Sequence, residues 1–202
     1  APPGRFIYIS STGVYGQVDG EQVDESSPCQ PTREGGRACL AAEHLLEESA
    51  LADRIVILRL AGIYGPGRIP RVEDIRAGKP IAAPADGVVN LIHVDDAARI
   101  VLAVESLSTP RRYVVSDGHP IERRAYYGEL ARLLNAPTPT FTPPSPDAHV
   151  AQRAGSDKRV SPARLFADTS IRLQYPTYRD GLAQILSREA APESSLGREP
   201  QE

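Results

Sequence analysis

Apolar residues fall along this chain in short blocks of two kinds, and the blocks alternate. Residues 6–9 (Phe6, Ile7, Tyr8, Ile9) form a brief β-rich run that breaks at once into Ser10, Ser11, Thr12 and Gly13. That pattern predicts a buried parallel strand with a hydroxyl-bearing loop at its C-terminal end, the edge of an open α/β sheet where ligands bind. Residues 54–60 form a continuous apolar run bounded by charges, which predicts a strand buried on both faces. Between the two, Ala38, Ala41, Ala42, Leu45 and Leu46 recur at helical spacing with Glu43, Glu47 and Glu48 interspersed, predicting a helix over 37–51. Strand, helix, strand in this order reads as a right-handed crossover unit.

The blocks continue with less regularity. Residues 62–68 are too rich in glycine to extend a strand and suit a loop that lets a ligand approach the backbone. A short helix over 71–77 ending at Gly78, a strand over 88–93 and a helix over 94–107 follow. Asp95 and Asp96 fall in the first turn of that last helix, where its dipole favours them. A strand over 113–115 leads to a helix opened by Pro120 and running through 134, since proline's missing N–H costs nothing at a helix start. Five prolines make 137–148 an extended connector, and 166–178 mixes apolar and aromatic residues before a terminal helix over 179–188. From 189 the composition is that of a disordered tail. The expected fold class is α/β: the later strands of a Rossmann-like parallel sheet within residues 1–188, plus a small C-terminal substrate-capping region drawn from about 66–90 and 119–186.

Composition narrows the function. With 202 residues, 41% hydrophobic and 24% charged, the chain can bury a core of its own. A net charge of −3 without any Lys/Arg block argues against nucleic acid or an anionic membrane as partner and for a small-molecule substrate. Two cysteines, no leader-like segment and no membrane-length apolar run make the cytoplasm the expected location. No metal site is expected, and a homodimer is the expected assembly if there is one. Only Lys79 and Lys158 are lysines among 23 basic residues, so the chain is biased toward arginine.

Several motifs in order carry a resemblance. FIYISSTGVYG over 6–16, RLAGIYGPGR over 59–68, NLIHVDDAA over 90–98, YVVSDG over 113–118, KRVSPARL over 158–165 and YPTYRDGL over 175–182 together resemble the NAD(P)-dependent epimerase/dehydratases. These are extended members of the short-chain dehydrogenase/reductase superfamily, and the pattern is most similar to an atypical branch. The resemblance implies NAD or NADP as cofactor. It also implies that about 80–100 residues, at roughly 30 per βαβ unit, should precede Arg5 and carry the glycine fingerprint, so that this stretch alone should bind cofactor poorly.

The same resemblance assigns roles. Ser11, with Thr12 able to share the task, would hold the reacting oxygen, because a fixed O–H donor aimed at developing oxygen charge stabilises the transition state. The competing reading is a side-chain turn after a strand. Ser10, Gly62 and Ile63 would lie on the cofactor side, and Tyr15, Tyr64, Arg68 and His93 on the substrate side. For Arg68 the guanidinium fork suits an anionic group, an exposed loop charge being the alternative. The family's tyrosine and lysine, one helical turn apart, would fall at Gly35 and Cys39, so both are absent. Cys39 thus occupies a cofactor-side position without being able to carry a lysine's charge. Lys158 and Arg159 read as a solvated pair, the alternative being a pair that helps close the pocket. Two functions follow: NAD(P)-dependent oxidoreduction or epimerisation of a carbonyl or hydroxyl compound, such as a nucleotide sugar, or a nicotinamide-binding protein that no longer catalyses and serves as a redox-responsive or partner-binding module.

Overall fold

The structure is a computed structural model that describes residues 4–107, 111–143 and 157–190. Its centre is a parallel sheet of three strands, β1 (Phe6–Ser11), β3 (Ile55–Leu60) and β8 (Arg111–Val115), in the order β1-β3-β8. The register aligns Ser11 with Leu60 and Leu60 with Val115, so the three C-terminal ends lie level. All six residues of β3 are buried, as its apolar run predicts for a middle strand. Alternation divides them: Val56, Leu58 and Leu60 pack with Ile100 and Val104 of helix α3 (Val94–Glu105) and Leu165 of α5 (Ala163–Thr169). On the opposite face Arg59 meets α1 (Glu34–Glu47).

The helix expected over 37–51 starts and stops three to four residues early. Ser49 explains the stop: its hydroxyl donates to Leu46 O and accepts from Leu51 N, giving the backbone an alternative to further helical bonds. Residues 62–64, expected in a loop, form strand β4 (Gly62–Tyr64), parallel to β7 (Leu91–His93). Glycine is what permits this, since a Cβ at Gly62 would stand 3.1 Å from Asn90 O. The single strand expected over 88–93 is broken at Asn90 into β6 (Val88–Val89) and β7, and β6 pairs antiparallel with β9 (Ile121–Glu122). The helix expected from Pro120 therefore begins later, as α4 (Arg123–Leu133).

Two short strand pairs and two further helices complete the architecture. Strand β2 (Glu21–Val23) pairs parallel with β11 (Lys158–Val160), and β5 (Ile81–Ala82) with β10 (Phe141–Thr142) inside the proline-rich connector. Residues 144–148 of that connector lie outside the described residues. Helices α2 (Val72–Arg76), α4 and α6 (Tyr178–Ala190) enclose a second core of Tyr64, Ile75, Leu130, Leu182 and Ile185. Helix α6 continues through residues 189 and 190, where a tail was expected to begin, and 191–202 lie outside the described residues. No helix among the described residues is long and apolar enough to cross a membrane.

Candidate active site

The level strand ends open on a cavity of about 540 Å³. One wall is the turn after β1, with Ser10, Ser11, Thr12 and Gly13; another is Leu60, Ala61, Gly62 and Ile63, running from β3 into β4. Across from them stand Val88, Asn90, Leu91, Lys158 and, from α4, Arg123, Tyr126 and Tyr127, with Arg33 and Arg68 contributing to the lining. The described lining thus carries four cationic side chains and no carboxylate.

Local chemistry shapes the hydroxyl turn. Residues 12–14 make one turn of 3₁₀ helix, capped by Ser11, whose Oγ accepts the Gly13 N–H at 3.0 Å. The side-chain-turn reading of this serine is the one the hydrogen bond shows: its lone pair organises the turn, a bond that does not use its O–H. Gly36 lets α1 press onto the turn, since a Cβ there would stand 2.2 Å from Gly13 O. Ser10 also touches the cavity, but its hydroxyl is committed inward and donates to Glu43 Oε1 at 2.5 Å. Glu43 is fully buried and forks onto Arg59 at 2.5 to 3.2 Å, and Arg59 Nη1 donates to the Tyr15 hydroxyl at 2.8 Å. Burial opposes the charge on Arg59, yet Glu43 and Tyr15 outweigh it and raise its pKa.

Four of the ten expected site residues lie elsewhere. Tyr15 is 2% exposed, off the cavity, and burial pushes its pKa up to about 12 although Arg59 opposes. The buried Arg59 claims its hydroxyl. Tyr64 and His93, opposite one another on β4 and β7, are sealed by the second core. A Cβ at Gly181 of α6 would come within 2.2 Å of the Tyr64 hydroxyl, so α6 lies directly over it. His93 Nδ1 caps α3 by accepting Asp95 N–H at 3.2 Å, its ring lies 3.9 Å from that of Tyr175, and burial lowers its pKa. Cys39 is half-buried beside the Tyr8 hydroxyl, whose pKa is raised first by burial and then by Cys39. Gly35 is exposed, with nothing within 4 Å of an added Cβ. The structure does bring Ser10, Ser11, Thr12, Gly62, Ile63 and Arg68 to one cavity.

The sequence model of the NAD dependent epimerase/dehydratase family matches residues 1–116. This chain belongs to that family. Among its relatives is Protein YeeZ of Escherichia coli, 32% identical over 174 residues that cover 85% of this chain and 59% of YeeZ. The chain therefore spans somewhat over half the length of that relative. A structure of a functionally unknown conserved protein from Silicibacter pomeroyi is 31% identical with a TM-score of 0.82, covering 92% of this chain and 66% of that one. The fold also matches UDP-glucose 4-epimerase from Thermus thermophilus in complex with NAD, with a TM-score of 0.73 at 21% identity, over 92% of this chain and 64% of that one.

Within this epimerase/dehydratase scaffold, the far wall holds the residues that sequence reasoning missed. Lys158 is 5% exposed rather than solvated, and its Nζ donates to Tyr15 O at 2.9 Å, at the end of the hydroxyl turn. Asn90 fixes its strand: Nδ2 donates to Lys158 O and Oδ1 accepts Val160 N–H, both at 2.8 Å. Arg159 is exposed and donates to Gly20 O. The rarity of lysine in an arginine-biased chain was a signal for Lys158, whereas nothing in the pattern marks Arg33 or Arg123. Asp117 is the other buried acid near this wall: its N–H donates to Leu91 O, burial lifts its pKa to about 7, and its Oδ2 has no hydrogen-bond partner among the described residues.

Proposed function

We propose that this protein is an NAD(P)-dependent oxidoreductase or epimerase/dehydratase acting on a carbonyl or hydroxyl compound, a nucleotide sugar being one candidate. One observation carries the reading: the parallel register of β1 with β3 sets the hydroxyl turn and the segment 61–63 on walls of the same cavity. A nicotinamide ring fits that geometry. Ile9, Leu60, Ala61, Gly62 and Ile63 offer apolar surface and accessible backbone on one side, while Ser11 and Thr12 offer hydroxyls on the other. When bound, the nicotinamide supplies or accepts hydride. The chain's own part is to orient and to polarise: Ser11 donates its O–H to the substrate oxygen as charge grows on it, from a turn already fixed by the Gly13 bond. Arg68, also on the lining, suits an anionic group of the substrate.

Titration of the full-length protein, including the segment expected to carry the glycine fingerprint, with NAD and NADP, followed by turnover assays across carbonyl and hydroxyl compounds, tests this reading. Binding of at least one dinucleotide is expected, and Ser11→Ala should cost on the order of 10²-fold in kcat with little change in cofactor affinity. Failure of both dinucleotides to bind would remove the reading. A second function, nicotinamide binding without catalysis, is favoured by α1, which presents an exposed glycine at 35 and a cysteine turned to Tyr8 at 39. Introducing Gly35→Tyr with Cys39→Lys should then raise turnover, whereas ordinary turnover by the unmodified protein would exclude this second function.

A further inference from the structure

Helix α1 brings no proton donor to the cavity, so the question is which group there can exchange one. The described lining contains no Asp, Glu, His or Cys. Its arginines hold their protons at any ordinary pH, and burial raises the pKa of both Tyr126 and Tyr127 away from neutrality. Ser11 and Thr12 can relay a proton but do not store one. Lys158 remains. Its nitrogen sits against the backbone of the hydroxyl turn, and its strand is held twice, by pairing with β2 and by the Asn90 clamp. An ammonium fixed this way needs little reorganisation on meeting a substrate.

We propose that Lys158 is the proton-carrying residue of this cavity, and that its Nζ meets the reacting oxygen of a substrate that also bears a carboxylate or phosphate. The inference rests on the function proposed above and names its proton source and substrate class. The transfer balances simply. With hydride supplied to the carbonyl carbon by the reduced nicotinamide of the proposed function, a C–H bond would form, the oxygen would take the electron pair of the C=O π bond, an Nζ–H bond would break as an O–H bond forms, and Lys158 would be left as a neutral amine that takes a proton back from solvent. Alcohol oxidation runs the same transfer in reverse.

The surrounding charges suit this role. Arg33, at the start of α1, acts on Lys158 across the cavity, and burial together with that like charge lowers the lysine's pKa to about 8. Arg123 stands on the same lining from α4, and Glu21 is the register partner of Lys158 on β2. Of its chain neighbours, Asp157 accepts from Val88 N–H and Arg159 donates to Gly20 O. The described lining carries four cationic side chains and no carboxylate, which is why the acidic class is favoured over a neutral sugar.

Because lysine occurs only at 79 and 158, a direct chemical test is available. The intact protein is treated at pH 7.5 with pyridoxal 5′-phosphate, an anionic aldehyde, then with borohydride, and the labelled peptides are mapped. Lys158 should take label at least about tenfold faster than the exposed Lys79, since the cationic cavity that Lys158 lines would gather the anionic aldehyde. Inorganic phosphate should compete if the subsite takes phosphate, and acetate if it takes carboxylate; Arg33→Gln should slow labelling of Lys158 alone. Equal or greater labelling at Lys79, or no competition by either anion, overturns the proposal. In turnover, Lys158→Arg should abolish the pH-dependent limb near 8. An unchanged limb in a variant that still binds dinucleotide sinks this inference and leaves the proposed function standing. Selective labelling of Lys158 in a protein that binds no dinucleotide removes the proposed function and this proton transfer with it.

Discussion

Two buried cations stand on opposite sides of the hydroxyl turn, and they serve different ends. Arg59 is 1% exposed and is gripped by the Glu43 carboxylate and the Tyr15 hydroxyl, so its charge is spent inside the protein. Lys158 is 5% exposed, holds the Tyr15 backbone carbonyl and lines an open cavity. Equal burial therefore does not mean equal role. A charge gripped by a carboxylate is architecture, whereas a charge facing a ligand-sized cavity is chemistry. Tyr15 joins the two, its hydroxyl turned to Arg59 and its carbonyl to Lys158, so the architecture on one side fixes the geometry of the other.

Removing the carboxylate should produce the largest effect. Glu43→Ala leaves Arg59 buried without its counter-charge and frees the Ser10 hydroxyl, and should cost about 3–5 kcal/mol in denaturant unfolding. Replacing the pair together, as Glu43→Leu with Arg59→Met, should recover much of that loss. Next comes Gly36→Ala, whose Cβ collides with Gly13 O and must lift α1 from the turn; a loss of about 1–3 kcal/mol is expected. Asp117 gives a pH-dependent test. Its folded pKa, about 7, lies above the unfolded carboxyl value, so the stability it contributes is full at acid pH and is lost as pH rises through 7. Asp117→Asn should therefore flatten the fall in Tm between about pH 4 and 7 and gain about 1–2 kcal/mol relative to the unmodified protein at pH 8. The smallest effect on stability should come from Lys158→Met, which keeps the stem and removes a buried charge, and should alter unfolding by less than about 1 kcal/mol. Were Lys158→Met to destabilise as much as Glu43→Ala, the contrast between the two cations would vanish.

The sequence made the sheet legible where burial is two-sided. The runs at 54–60 and 113–115 are strands that must fill space between neighbours, and hydrophobicity records that demand, whereas the run at 6–9, expected to be buried, is a strand on the sheet's edge with Phe6 41% and Ile9 48% exposed. Strands β2 and β11 were hidden, since Glu21–Val23 and Lys158–Val160 are held mainly by backbone pairing that leaves little apolar signature. Asn90 breaks an otherwise apolar strand because its amide serves β11, a long-range bond no local pattern announces. The same limit governs the site. The hydroxyl turn and Gly62 could be found from local motifs, but whether an aromatic such as Tyr15, Tyr64 or His93 faces the cavity depends on what packs over it. Arg59 and α6 decide that, from distant parts of the chain.

The account turns on whether the hydroxyl turn and the segment after β3 share one ligand. Amide hydrogen exchange of the intact protein, measured with and without saturating NAD or NADP, tests this directly. The amides of Gly13 and of residues 61–63 should slow together, with the same dependence on ligand concentration. Protection confined to one of these segments, or absent from both while a dinucleotide is bound, would contradict the account.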